Sequence, residues 1–468
     1  MGTEDFTQHN ADVVRDEVLR RRLSGRGGNR RSAIGRAERD QPLVLSHGQQ
    51  QMWFLNRLDP DSTEYLVPLA FRLRGRLDAE ALQRAWSAIL ARHEILRTRY
   101  AVLDGRPVQV VDEPVDVPLV PQDLTSLLAD ERDQRTDALV AQHLDEPFDL
   151  EHDWPVRARL LRLASDDHVP TVVFHHIACD AWSTRLFASE LSTLYAAFAE
   201  GSDATLPPLD VQYADYAQWQ RQVLSGTVLE GQLSYWRDQL AGLRPIELPA
   251  DRPRPAVREH AGAEVAFPLP SEVAQRVRDL AVQHDTTPFV VFLTALQALV
   301  SYYVDDNDVA VGTVASGRTR PELQNVFGYC INTLVMRATW DDSTTFGELV
   351  DNGRRSLIDA YDHQTVPFAQ LVDELQPERD LSRTSLYQVA FTLHEAGGEG
   401  LTLPGMDVTP YEALGTVAKC DLELRVGENS DGSYETRLTY ATSLFDEATA
   451  RRMATHFVRL LDQATVSA

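Results

Sequence analysis

The sequence predicts a mixed α/β fold, because segments with helical and with strand periodicity alternate along its 468 residues. Asp78 is a typical helix N-cap, and apolar residues follow it at helical spacing. Residues 98–102 and 107–111 are β-prone and flank a turn at Asp104 and Gly105, a hairpin pattern. Residues 157–163 alternate polar with apolar side chains, as a half-exposed strand does.

The second half continues this alternation. The apolar stretch 289–304 follows Pro288, a frequent first residue of a helix, and is apolar on all sides, so it predicts a buried core helix. It is shorter than the ~20 residues that a membrane-spanning helix needs, and we expect no membrane partner. A strand at 309–312, a helix at 346–361, a strand at 435–442 and a terminal helix complete the predicted elements.

Composition excludes several classes of protein. The formal net charge of −25 disfavours binding to nucleic acid, because an acidic surface repels phosphate. Three widely spaced cysteines (Cys179, Cys330 and Cys420) predict neither a disulfide framework nor a zinc site, and no signal peptide is evident, so we expect a cytoplasmic protein. Lys419 is the only lysine, and we expect it at the surface or at a lobe edge.

The N-terminal segment, residues 1–40, differs from the rest of the chain. Nine arginines fall between Arg15 and Arg39, interleaved with glycines and without sustained periodicity. This pattern is typical of a mobile, solvated leader. A basic arm that docks on an acidic protein is the alternative.

The stretch of chain that points most directly to chemistry is HHIACD, residues 175–180, between a β-prone run and a helical segment at 182–199. Histidine exchanges a proton close to neutral pH, so His175 or His176 could act as an acid or a base. Asp180 would orient the site. A pair of buried structural histidines, and a nucleophilic Cys179 beside a histidine, are the alternatives.

Seven further motifs accompany it in order: 45–55 (LSHGQQQMWFL), 92–98 (RHEILRT), 213–219 (YADYAQW), 312–318 (GTVASGR), 327–334 (FGYCINTL), 363–368 (HQTVPF) and 379–383 (RDLSR). This series resembles that of the condensation domains of nonribosomal peptide synthetases, and the resemblance runs from about residue 43 to about 461. One departure is Ala181, where the family usually has glycine after the aspartate. Alanine there puts the loop geometry in question, because it disfavours a positive φ.

The resemblance implies two lobes, each like chloramphenicol acetyltransferase, in a V-shaped pseudo-dimer. We place the N-terminal lobe at 41–222 and the C-terminal lobe, with crossover segments to the first, at 223–468. It also implies the reaction: an acyl or aminoacyl group on the phosphopantetheine thioester of a peptidyl carrier protein passes to an amine or alcohol, either a small molecule or carrier-bound. Phosphopantetheine arrives on the carrier, and no resident cofactor is expected.

The resemblance also implies residue roles. His176 is the predicted general base or the group that orients the acceptor, His175 supports the loop, and Asp180 forms a buried structural ion pair with Arg318. Three further residues match positions that line the family's tunnel or lobe crossover: Ser316, Asn332 and Gln364.

Three other functions remain open: an acyltransferase that uses acyl-CoA, a non-catalytic module that recruits a partner to a synthetase, and an epimerising relative. We favour a free-standing condensation enzyme over a domain excised from a synthetase.

Overall fold

The computed structural model describes residues 33–376, 380–395, 400–411, 416–429 and 431–467, and it confirms the mixed α/β fold. Within these residues the helices are α1 (His47–Leu58), α2 (Ala79–Arg92), α3 (Ala129–Leu144), α4 (Ala181–Ala199), α5 (Tyr213–Val223), α6 (Gly226–Gln239), α7 (Ser271–Gln283), α8 (Pro288–Val304), α9 (Phe346–Asp362), α10 (Phe368–Leu375) and α11 (Glu447–Ser467).

The strands are β1 (Leu43–Val44), β2 (Leu66–Arg74), β3 (Thr98–Leu103), β4 (Arg106–Val111), β5 (Gln122–Asp123), β6 (Val156–Ala164), β7 (Asp167–His175), β8 (Ala261–Pro268), β9 (Asp308–Ala315), β10 (Asn332–Thr339), β11 (Val389–Glu395), β12 (Asp407–Pro410), β13 (Thr416–Val417), β14 (Leu422–Glu428) and β15 (Tyr434–Ala441). They form sheets in the orders β1-β4-β3, β12-β2-β7-β6-β5 and β10-β9-β11-β14-β15-β8-β13.

The first core lies on the five-stranded sheet. Its central strand β7 pairs antiparallel with β2 on one side and β6 on the other, and nearly all of its residues are buried. Helices α2 and α4 pack together over this sheet, with Trp86 and Phe187 edge to face at 6.2 Å between ring centroids. Asp78 caps α2 as predicted, since its side chain accepts from the backbone N–H groups of Glu80 and Ala81.

The second core lies on the seven-stranded sheet. Helix α8 crosses it with most of its side chains buried, as the apolar run 289–304 predicts. Strand β11 pairs parallel with both β9 and β14, whereas β14 and β15 are antiparallel, so the sheet is mixed. Core residues change from the first lobe to the second between α5 and α6, because Tyr216 packs in the first core and Leu233 in the second.

Two stretches from the C-terminal half cross back to the first lobe. Residues 323–330 contribute Leu323 and Phe327 to its core, and Leu403 lies there as well. Strand β12 then pairs antiparallel with β2 at the edge of the five-stranded sheet.

The assignment of residues 33–40 to the leader is wrong. Ile34 and Ala37 are buried, the N–H of Ala37 donates to Asp215 at 2.8 Å, and Arg39 pairs with Glu94 and Asp215. Burial of Ile34 and Ala37 and the contacts to Glu94 and Asp215 hold this segment against the first lobe. The arginine and glycine content of residues 1–40 does not indicate these contacts. The rest of the leader lies outside the described residues.

No single helix in the described ranges has the length and apolar content to cross a membrane. Helices α7 and α8 pass that test only as a pair, and the chain bends by 108° between them.

Candidate active site

The HHIACD loop joins the central strand of the first lobe to a helix. Strand β7 ends at His175, paired with Leu66 of β2, and α4 begins at Ala181. Asp180 is the N-cap of α4, and its side chain accepts from the N–H of Ser183 at 2.9 Å. The strand end and the helix start therefore fix both ends of the six-residue loop.

His176 is oriented as a proton acceptor. Its backbone N–H donates to the carbonyl of Tyr65 at 2.8 Å, and its Nδ1 lies 2.6 Å from the carbonyl oxygen of Cys179. A carbonyl only accepts, so Nδ1 carries the proton in this assignment and Nε2 keeps its lone pair. Among the described residues, Nε2 has no hydrogen-bond partner.

The surroundings of His176 keep its ring neutral. Burial lowers its pKa from the usual 6.5 to about 4, and the positive charge of Lys419 acts in the same direction. The Cys179 carbonyl and Asp180 oppose both effects without cancelling them. The base form is therefore present at every pH near neutrality.

His175 has the contacts of a structural residue. It is 3% exposed, its Nδ1 accepts from the N–H of Ile177 at 3.0 Å, and its ring meets that of Phe148 edge to face. Burial lowers its pKa to about 3. These contacts fit the predicted supporting role.

Asp180 and Arg318 meet as predicted, in a bidentate pair with N–O distances of 2.7 and 3.1 Å. Their side chains are 0% and 1% exposed. Asp180 also accepts from the N–H of Cys330 at 3.0 Å, and Arg318 donates to the carbonyls of Val326 and Gly328, each at 3.1 Å. The pair thus joins the histidine loop of the first lobe to the chain that returns from the second.

Two doubts raised by the sequence are resolved at this loop. Ala181 is the first residue of α4 and does not have a positive φ, so its methyl group imposes no backbone strain. Cys179 is fully buried, and burial raises the pKa of its thiol well above the usual value, so a thiolate nucleophile is disfavoured.

Tyr329 is a neighbour of His176 that the sequence did not single out. Its ring lies edge to face with the imidazole, 4.9 Å between centroids, and its carbonyl accepts from the hydroxyl of Tyr213 at 2.5 Å. A Cβ at Gly48 would lie 2.5 Å from the tyrosine ring, so glycine at that position admits this packing. The sequence signal for this contact is the pair of motifs at 45–55 and 327–334, which contain Gly48 and Tyr329.

A cavity of about 90 Å³ lies beyond Tyr329 and is bounded by both lobes. Asn332 and Gln364 line it, but their polar atoms also bind backbone: Asn332 donates to the Gln364 carbonyl at 2.9 Å, and Gln364 to that of Tyr361 at 2.7 Å. Ser316 instead contacts Arg318. These bonds fit structural roles at the lobe crossover.

The comparison that decides the family is a match to the Condensation domain over residues 39–467. The chain belongs to the condensation domain family.

Named relatives are nonribosomal peptide synthetases. This condensation domain is 39% identical over 448 residues to a polypeptide of the linear gramicidin synthase of Brevibacillus parabrevis, a match that covers 95% of this chain and 6% of that protein. It is 38% identical over 423 residues to the phosphinothricin tripeptide synthetase PhsC of Streptomyces viridochromogenes, covering 89% of this chain and 39% of the other. The chain thus spans less than half the length of each of these curated relatives.

Among solved structures, the X-domain from teicoplanin biosynthesis, in its complex with OxyB, superposes with a TM-score of 0.84 at 29% identity and covers 94% of this chain and 96% of that one. The family relationship supports condensation that forms amide bonds in nonribosomal peptide biosynthesis.

Proposed function

We propose that this condensation domain transfers an acyl or aminoacyl group from a carrier-protein thioester to an amine, and that His176 accepts the proton that the amine loses. The observation that carries this proposal is the orientation of His176: Nδ1 is committed to the Cys179 carbonyl, which leaves Nε2 as the acceptor. The depressed pKa of His176 keeps that acceptor unprotonated.

The proposed reaction forms one C–N bond and breaks one C–S bond. The amine nitrogen attacks the thioester carbon, and the carbonyl electron pair moves to oxygen. As that tetrahedral intermediate collapses, the thiolate leaves, and the proton taken up by His176 passes to sulfur. A positioned base of this kind contributes about 10²–10⁴-fold to the rate.

The donor in this proposal is the phosphopantetheine arm of a peptidyl carrier protein, which acts as a substrate and leaves with its carrier. The multidomain relatives support a carrier as the partner, since condensation domains of synthetases work with carrier domains. An alcohol is the second acceptor class, and the resulting ester would require proton removal by His176 more strictly, because an alcohol is the weaker nucleophile.

The decisive experiment measures acyl transfer from a loaded carrier protein to a panel of small amines and alcohols. Wild type and His176→Ala are compared side by side, with His152→Ala as the matched control, because His152 is a surface histidine remote in sequence from the loop. We expect product from wild type and the control, and about 10²–10⁴-fold less from His176→Ala. Equal rates for all three proteins would contradict the role of His176.

A second candidate function is a binding module, which the fold of the teicoplanin X-domain in complex with OxyB favours. It predicts carrier or partner binding without product from wild type.

Faster transfer from acyl-CoA than from the loaded carrier would instead identify a CoA-dependent acyltransferase.

A further inference from the structure

The proposed chemistry gives no role to the cavity of about 90 Å³ that lies beyond Tyr329. A water molecule needs about 10–15 Å³ of such space, so the cavity has room for several waters and therefore for a short side chain. Thr319 and Thr365 line it and are exposed, so it opens to solvent there. Tyr329 lines it too, and its ring centroid lies 4.9 Å from that of His176. The cavity thus leads from solvent to the residue that contacts the proposed base.

The wall of this cavity carries no net charge. Among the described residues that line it there is no aspartate, glutamate, lysine or arginine, although the whole chain has a net charge of −25. His47 in the wall is neutral, because burial lowers its pKa to about 4 and the charge of Arg221 acts in the same direction. An ion that entered would lose water without gaining a counter-ion in the wall, which is costly. An uncharged group is therefore the occupant that fits.

The polar side chains of the wall differ in their freedom to bind a ligand. Gln220 is committed, since its Oε1 accepts from the N–H of His47 at 3.0 Å and its Nε2 donates to the hydroxyl of Tyr216 at 3.0 Å. Asn332 is committed to backbone groups. Gln51 is half-buried in the wall and has no hydrogen bond to any described residue. Its amide both donates and accepts, so it can bind an uncharged polar group.

Tyr329 separates the cavity from His176. The tyrosine ring packs on Gly48 so closely that a Cβ there would lie 2.5 Å from a ring carbon. The backbone of Tyr329 is held by the hydroxyl of Tyr213, whereas its own hydroxyl has no hydrogen bond to any described residue. Packing against Gly48 and His176 therefore fixes the ring, and the ring limits how far a ligand extends from the cavity towards the base.

We infer that this cavity receives the side chain of the acceptor amine, that Gln51 selects an uncharged polar side chain, and that Tyr329 limits its size. The inference rests on the proposed function, because it assigns the acceptor of that acyl transfer. Gln51 and Tyr329 determine specificity in this assignment, and proton transfer stays with His176.

The test of Gln51 uses three acceptors of one shape: asparaginamide, leucinamide and aspartic acid α-amide. We expect wild type to have the highest kcat/KM with asparaginamide. Gln51→Leu should lower the preference for asparaginamide over leucinamide by about 3- to 10-fold, since one hydrogen bond contributes a factor of that order. Gln50→Leu is the matched control, because Gln50 is the exposed neighbour on α1 and does not line the cavity.

Two results would overturn the role of Gln51. One is an unchanged preference among the three acceptors in Gln51→Leu. The other is a rise confined to the KM for the loaded carrier, which would show that the cavity holds the arm of the donor.

The test of Tyr329 compares a large acceptor, tryptophanamide, with asparaginamide. Tyr329→Ala should raise the relative kcat/KM for tryptophanamide by about 10-fold or more, because pocket size discriminates by such factors, whereas Tyr329→Phe should keep the wild-type ratio. Gly48→Ala displaces the ring and should change the ratio in the wild-type background but not in Tyr329→Ala. A ratio that stays constant in Tyr329→Ala and in Gly48→Ala would overturn the size limit.

A binding measurement separates this inference from the proposed function. N-acetylasparagine amide has the same side chain and no nucleophilic amine, and saturation-transfer NMR detects its binding without any transfer reaction. We expect a signal in wild type and Gln50→Leu and its loss in Gln51→Leu. If wild type made no product but showed this pattern, the proposed function would fail and the cavity would stand as a site for uncharged polar groups. Equal signals in all three proteins would overturn the assignment of Gln51 even if transfer occurred.

Discussion

At the scale of single residues, the Asp180–Arg318 pair is the contact on which the site depends most. Both side chains are excluded from water, so removal of one leaves the other as an uncompensated buried charge. We predict that Asp180→Ala and Arg318→Met each lower the free energy of unfolding by about 3–5 kcal/mol in urea titrations. The double variant should lose much less than the sum, and additive losses would show that the two charges are not coupled.

The buried histidines predict how stability depends on pH. Burial holds the pKa of His175 at about 3 and that of His176 and His143 at about 4. The unfolded chain, with histidine near 6.5, binds more protons, so stability is complete above about pH 6.5 and falls as the pH drops towards 4. Each histidine that stays neutral contributes a slope of about 1.4 kcal/mol per pH unit.

Urea unfolding at several values between pH 7 and 5 measures that slope. His143→Gln should reduce the slope of the unfolding free energy against pH by about 1.4 kcal/mol per pH unit, because one fewer histidine takes up a proton on unfolding. A stability that stays constant over this range would contradict the neutral state of the buried rings.

At the scale of elements, the turn after β9 depends on glycine. Gly317 has a φ of +67°, and a Cβ there would lie 1.9 Å from the carbonyl oxygen of Cys330. Gly105, in the β3–β4 turn, has a φ of +77° with no atom within 4 Å of its Cβ position, which makes it a matched control.

We predict that Gly105→Ala costs about 1–2 kcal/mol for the left-handed backbone alone. Gly317→Ala should cost about 3 kcal/mol or more, because the clash adds to that strain, and should lower transfer by displacing Arg318. Equal losses of stability in the two variants would contradict the contact with Cys330.

Local periodicity predicted the helices and strands well, whereas most of the contacts between the lobes around the site were not predicted, because they depend on residues far apart in sequence. The predicted helix 289–304 is observed as Pro288–Val304, and 346–361 as Phe346–Asp362, because apolar spacing and capping are local properties. The motif series also predicted that Asp180 meets Arg318. The contacts of Tyr65 and Tyr329 around the site depend on how two lobes meet, which no local pattern encodes.

At the scale of the whole molecule, the two cores are linked by segments of the C-terminal half whose side chains pack in the core of the first lobe. Leu403 is 4% exposed in the core of the first lobe, although it lies between β11 of the second lobe and β12 of the first. Arg318 and Cys330 make a similar connection through Asp180. Unfolding of the first lobe would therefore remove the anchor points of chain that belongs to the second.

This connection predicts that the lobes unfold together. Trp86 lies in the first core and Trp236 in the second, so single-tryptophan reporters or hydrogen exchange can follow each lobe separately. We expect coincident midpoints in wild type. Leu403→Ala should lower the unfolding free energy by about 2–5 kcal/mol and shift both reporters equally, whereas the control Leu381→Ala, at a leucine that is 67% exposed, should shift neither. A Leu403→Ala protein in which only the first lobe loses stability would show that the crossover segments follow the first lobe without coupling it to the second.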